Sequence, residues 1–305
     1  MYELKRLEWH KLQSENSFSD FNKLFEALVP PAFHCCLQGK DPNDISETSL
    51  IAIGALHQGE PVGIVLASCY RHTHYVKVHY IHVLPEHRNH HIARQMLQAV
   101  YAVAKDEGGR YFTLIYKLED PLSRALEKVL IACNWNPAQP FMIECLFECL
   151  TFDPPWFKAP YKIPSSIQEF PWSDLTKDER EQILHDERRG VIPLAVLPFR
   201  NEHLVEPLNS LGLRYDGRVI GWIITHRTAP DKIVYQALYI ERSFHFLGPG
   251  IKLLIDSILI QKKVPIKWSA FQLPLTQVHP AWIQFINRRL IPYADEVIHY
   301  VQAWR

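Results

Sequence analysis

No apolar run in this 305-residue chain approaches the ~20 residues needed to span a bilayer, and the opening MYELKRLEWH has no signal-peptide apolar core. Neither charge is in excess: 33 Lys and Arg stand against 33 Asp and Glu, so no global field draws the protein to nucleic acid or an anionic membrane. The six cysteines (Cys35, Cys36, Cys69, Cys133, Cys145, Cys149) form no CxxC pair. They read as scattered core thiols and point to a reducing, cytoplasmic setting. Metal-ligand spacing is missing too. His72 and His74 share a strand face, but no cysteine or carboxylate cluster accompanies them. Aromatics such as Trp156, Phe157, Trp222 and Trp268 lack the basic interleaving that nucleic-acid binding needs, and read as packing. The expectation is a soluble protein with a large core and room for two domains.

What is present is concentrated between Val76 and Lys105. Branched and aromatic residues up to Val83 predict a strand. After Pro85, Ile92, Met96, Val100 and Val103 recur at near-helical spacing and predict a helix. The loop Arg88 to Ala93 leads into the helix N-terminus, whose unpaired amides suit a phosphate or pyrophosphate. Arg88 adds a fixed positive charge.

In chain order, Tyr2 to Trp9 predicts a strand and about Ser17 to Leu28 a helix ended by Pro30 and Pro31. SLIAIGALHQGEPVGIVLASCY predicts two strands about a turn from His57 to Pro61. A strand at Tyr111 to Tyr116, a helix from Asp120-Pro121 to about Cys133, and a strand from Met142 to Leu150 close the first half. The four prolines of TFDPPWFKAPYKIP, residues 151–164, predict a linker. The second half then repeats the first: Gly63 matches Gly221, Val83 matches Ile240 and Ala93 matches Gly250, at an offset of about 157 or 158. It predicts strands at Leu208 to Leu213, Arg218 to Thr225, Ile233 to Ile240 and Ile266 to Phe271, with helices from Gly250 to Lys262 and Pro280 to Arg289. Thr176 and Glu179 predict a capping box on a charged, solvated helix reaching Arg189. The expected division is 1–150, a linker at 151–164, and 165–305, each domain an α/β layer with a mixed, largely antiparallel sheet flanked by helices.

The run Val83-Leu84-Pro85-Glu86-His87-Arg88-Asn89-His90-His91-Ile92-Ala93 resembles the acetyl-CoA signature of the GNAT superfamily of N-acyltransferases, a strand ending in V-x-P followed by R-x-x-G-x-G/A. Val83, Pro85, Arg88, Ile92 and Ala93 keep the pattern. His91 stands where the first glycine is usual, a place where histidine adopts positive φ less readily. In the second copy, IERSFHFLGPGIKLL, Gly248 and Gly250 occupy the glycine positions, while His245 replaces the arginine and Pro249 removes an N–H donor. The tandem layout is similar to that of mycothiol synthase.

The resemblance implies acetyl-CoA or another acyl-CoA as donor and the primary amine of a small molecule or peptide as acceptor. It gives Ile81 and Val83 backbone contacts to the pantetheine arm. Arg88, Asn89, His90, His91, Ile92 and Ala93 become the pyrophosphate cradle, with Gly248 and Gly250 as counterparts; the retained charge favours the first domain. His79 resembles in position one of the histidines of serotonin N-acetyltransferase, and is the candidate base for an amine that is mostly protonated at neutral pH. Gln236 takes that place in the second copy. The tyrosine that commonly protonates the leaving thiolate is missing: Leu130 stands there, and Asn287 lies near the matching place, with Tyr116 and Cys133 as substitutes. A catalytically silent CoA-binding or scaffolding protein is the alternative that this absence leaves open.

Overall fold

The computed structural model describes residues 1–7, 23–42, 48–159, 161, 163–199, 201–276 and 280–305. Strands β1 (Tyr2–Arg6), β2 (Thr48–His57), β3 (Glu60–Tyr70) and β4 (Tyr75–Val83) pair antiparallel in sequence order, and β5 (Tyr111–Lys117) joins β4 in parallel. The β2–β3 turn is Gln58-Gly59, both at positive φ (53° and 89°), the hairpin geometry that matches strand twist. β2 and β3 are near-continuous apolar runs because both faces of the sheet are covered. On one face α1 (Ile92–Asp106) buries Ile92, Met96, Leu97, Val100 and Ala104, and α2 (Ser123–Ala132) adds Leu130. On the other lie Phe25, Leu28, Val29, Cys36 and Leu37. Of the helix expected at Ser17 to Leu28, residues 17–22 lie outside the described residues, as does Trp9; Glu26–Leu28 is a single 3-10 turn.

The same plan recurs. β6 (Gln139–Glu148) is followed by β7 (Ile167–Pro171), α3 (Lys177–Arg188), β8 (Leu211–Tyr215), β9 (Arg218–Ala229), β10 (Lys232–Ile240), α4 (Pro249–Gln261), β11 (Trp268–Pro274), α5 (Pro280–Arg289) and β12 (Glu296–Trp304). The β8–β9 turn, Asp216-Gly217, again has both φ positive (49° and 70°). The capping box forms: Glu179 N–H donates to Thr176 Oγ1 at 3.3 Å and Thr176 N–H to Glu179 Oε2 at 2.8 Å.

Two compact units result, residues 1–141 with 299–305, and residues 142–298. Strand order is β1-β2-β3-β4-β5-β12 in the first and β7-β8-β9-β10-β11-β6 in the second. Each sheet is mixed and largely antiparallel, its parallel pair being β4–β5 or β10–β11. The division differs from the expected 1–150, 151–164 and 165–305. Met142 to Leu150 was expected to close the first half. Instead β6 pairs with β11, from Met142 opposite Pro274 to Glu148 opposite Trp268. The first sheet is closed by β12, from Tyr300 opposite Lys117 to Trp304 opposite Thr113. The proline-rich stretch is not a free linker either, because its aromatics are worth more buried than solvated. Phe152 and Trp156 enter the second core, and the Trp156 indole N–H donates to the Arg289 carbonyl at 2.8 Å.

Candidate functional site

The site begins with a defect in a strand. Between Leu66 opposite Tyr80 and Ala67 opposite Val78 the β3–β4 register skips His79, which makes His79 the extra residue of a β-bulge. The parallel β4–β5 ladder ends just there, at Val78 opposite Leu114, while β4 continues to Val83 and β5 to Lys117. A bulge bends its strand, so unpaired backbone edges face each other beyond it. The second unit repeats this. Gln236 is skipped between Tyr235 and Ala237, and the β10–β11 ladder ends at Tyr235 opposite Phe271.

After each strand the chain turns into a helix through a left-handed residue. His91 has φ +60° and caps α1; Gly248 has φ +72° and caps α4; neither N-cap provides a side-chain hydrogen bond. The first amides of both helices therefore lack the usual side-chain acceptor, although Pro249 contributes none at the start of α4. The histidine has not prevented the glycine conformation. Asn89 is also left-handed, at φ +65°. His90 and His91 are exposed, while Ile92 is buried and Ala93 packs half-buried on the core.

Arg88 and His245 do the same work. Arg88 Nε donates to the Val83 carbonyl at 3.0 Å, and His245 Nε2 lies 2.7 Å from the Ile240 carbonyl. Each ties the loop to the last residue of the preceding strand. Opposite those strand ends sit Gly63, paired with Val83, and Gly221, paired with Ile240. A Cβ on Gly63 would lie 3.0 Å from the His82 carbonyl oxygen, and one on Gly221 2.7 Å from that of Tyr239, so both positions need glycine for close approach. Ile81 and Val83 turn their side chains into the core beside α1, which leaves backbone groups for the strand edge.

His79 is sealed in. Its side chain is 2 % exposed; Nε2 lies 2.7 Å from Ser68 Oγ and 3.8 Å from Asp41 Oδ2, and Ser68 Oγ donates to Asp41. Burial pushes the imidazole down to about 4, the Lys77 charge acting the same way and Asp41 opposing. The ring is thus neutral at pH 7. The proposed acids fare worse. Tyr116 donates to Glu127 Oε1 at 3.1 Å, and burial together with that carboxylate pushes the phenol well above its ordinary range. Burial raises the Cys133 thiol, and Leu130 is a core residue. All six cysteines are free, and among the described residues no group of His, Cys, Asp and Glu side chains could hold a metal.

In the second unit an open cleft of about 730 Å³ runs along Leu238 and Ile240, past His245, Gly248 and Gly250, to Trp282 and Phe285. A smaller hollow of about 480 Å³ shares Val191 and Tyr239 with it and is walled in part by Asp178, Asp186 and Glu241. Sequence reading missed this hollow, since nothing in the spacing of α3 and β10 marks them as neighbours.

Residues 7–126 match the model of the Acetyltransferase (GNAT) family. That stretch is a GNAT domain. Over the whole chain the fold is that of a tandem GNAT protein. A tandem GNAT protein from the clavulanic acid biosynthesis pathway, solved without AcCoA, superposes with a TM-score of 0.65 at 14% identity, covering 99% of this chain and 98% of that one. A GCN5-related N-acetyltransferase from Sphaerobacter thermophilus gives 0.61 at 14% identity, covering 100% and 95%. No curated protein sequence matches. GNAT chemistry is acyl transfer, and the bulge, the parted parallel strands and the left-handed cap stand in both units of this chain. Among the described residues no helix is long and apolar enough to cross a membrane.

Proposed function

We propose that the protein transfers an acyl group, acetyl in the first instance, from acyl-CoA to a primary amine of a small molecule or peptide in the cytoplasm, and that the first unit performs the transfer. One observation carries this reading. β4 parts from β5 at the bulge that bears His79, so a titratable side chain and a loop feeding an uncapped helix N-terminus lie on one strand. The bulge of the second unit bears Gln236, which has no proton to exchange near neutral pH.

The residues fit a CoA. The edge of β4 at Ile81 and Val83 offers backbone partners for the pantetheine amides, and the amides from Arg88 to Ala93 offer donors for the pyrophosphate. Arg88, anchored through Nε, keeps its terminal nitrogens for phosphate. The donor supplies the activated carbonyl. The chain aligns it with the amine, excludes bulk water, and offers neutral His79 as acceptor of the ammonium proton. With Tyr116 tied to Glu127 and Leu130 in the core, the thiolate takes its proton from solvent.

Calorimetry and a thiol-release assay with a panel of primary amines test this. Arg88→Ala weakens CoA binding by about tenfold, the worth of a charge-assisted contact. His79→Ala lowers turnover at neutral pH and leaves CoA affinity unchanged. The cleft of about 730 Å³ favours a second reading, in which the second unit holds CoA without catalysing transfer. A Gly250→Trp side chain would start 3.1 Å from Ile240 Cγ1 and block that cleft. Loss of all CoA binding in Gly250→Trp, with none in Arg88→Ala, assigns the donor to the second unit. Tight CoA binding with no thiol released from any amine makes the protein a silent binder.

A further inference from the structure

We infer that Ser68 and Asp41 are positioning residues that hold His79 in a single tautomer, Nε2 protonated and Nδ1 bare, and so choose which nitrogen takes the proton. The inference rests on the function proposed above only in giving that nitrogen a use.

Counting hydrogens gives the order. Ser68 has one hydroxyl hydrogen, and its Oγ donates it to Asp41 Oδ2. The lone pairs of Ser68 Oγ are what remain for His79 Nε2 at 2.7 Å, and only an Nε2–H can use them. A neutral imidazole carries one N–H, so Nδ1 carries none. The chain Asp41, Ser68, His79 runs from the loop after the one-turn helix His34–Leu37, through β3, to the bulge of β4. All three side chains are shut from water: Ser68 is fully buried, and those of Asp41 and His79 are each 2 % exposed. Water therefore cannot substitute for a missing partner, and the order is rigid. The charged groups acting on the ring are Lys77 on its own strand and Asp41 across from it, with opposite effects; Phe33, 6.3 Å away centre to centre, covers it from the turn Pro31–Phe33. Lys77 pairs with Ser68 and His79 follows two residues on, so the His79 and Ser68 side chains share one face of the sheet.

Long-range ¹H–¹⁵N correlation spectra of the full chain, with the His79 signals identified by their loss in His79→Gln, read the tautomer directly. The expected result is the Nε2–H form alone, unchanged from pH 8 down to pH 5. An Nδ1–H form, or a mixture of the two, overturns the inference. Ser68→Ala, checked for folding by circular dichroism, gives a mixture; a pure Nε2–H signal in that variant also overturns it. With an amine that turns over, Ser68→Ala lowers kcat by at least about tenfold with both KM values held within about twofold, and Ser68→Thr restores it. Unchanged turnover in His79→Ala, beside the expected tautomer, removes His79 as base and leaves the hydrogen-bond order standing, so the two failures are distinguishable.

Discussion

His79 pays for its burial in acid. Its folded-state pKa of about 4 lies below the ordinary histidine value, so between pH 6.5 and 4 the unfolded chain binds a proton that the folded chain refuses. The stability from keeping this ring neutral is fully present above pH 6.5 and is lost as pH falls towards 4, a contribution on the order of 3 kcal/mol. Glu169 works against the measurement. Burial beside Asp256 pushes its carboxyl up to about 7, so its contribution is present below the ordinary carboxylate range and lost as pH rises through 7. Urea unfolding of wild type and His79→Leu at pH 4.5 and 7.5 isolates the histidine; the difference between the two proteins should change with pH, and equal differences refute the burial argument. His91 gives a second prediction. Held at φ +60° with a side chain, it stores strain that glycine would not, so His91→Gly should stabilise by up to about 1 kcal/mol in the same assay.

Among the elements, α3 shows one side chain holding two structures together. Glu179 closes the capping box with Thr176 and also takes Arg214 Nε at 2.5 Å and Nη2 at 3.0 Å from β8. The Arg214 hydrogen bond, helped by Thr176, holds its carboxyl down at about 2, so this contribution is present above the ordinary carboxylate value and lost as pH falls from there towards 2. Thr176→Ala should cost about 1 kcal/mol, and Glu179→Ala more, because the second change also strands an arginine; thermal melts at pH 7 rank them. The capping box was legible because its two residues are three apart. The paired strand–loop–helix units were legible through a constant offset. The equivalent hydrogen bonds of Arg88 and His245 were not, since one reads as a charge and the other as its loss, and only coordinates reveal that each meets the carbonyl of its own strand's last residue. Asp216-Gly217 was a readable hairpin turn that went unread. The burial of His79 was beyond reach, because alternation gives its face and not the distant Phe33 and Asp41 that cover it.

For the molecule as a whole, pairing of distant segments decides what is a unit. β12 was not expected as a strand, and no local signal assigns it to β5 instead of β11, which is why the boundary was expected in the prolines and falls instead within β6, at Met142. A fragment of residues 142–298 retains all six strands of its sheet and should melt cooperatively. Residues 1–150 leave one edge of β5 open and should not. Adding a peptide of residues 296–305 should restore a transition to that fragment by strand addition, and circular dichroism melts would show whether it does.

The exchange of closing strands also sets an order of events during synthesis. Domains made first ordinarily finish first. Here the amino-terminal sheet must wait, its flank exposed, until residues 299–305 have left the ribosome, by which time everything the other sheet requires has already been translated. A nascent chain stalled before that point presents the unpaired edge of β5, and is the form on which a chaperone would act.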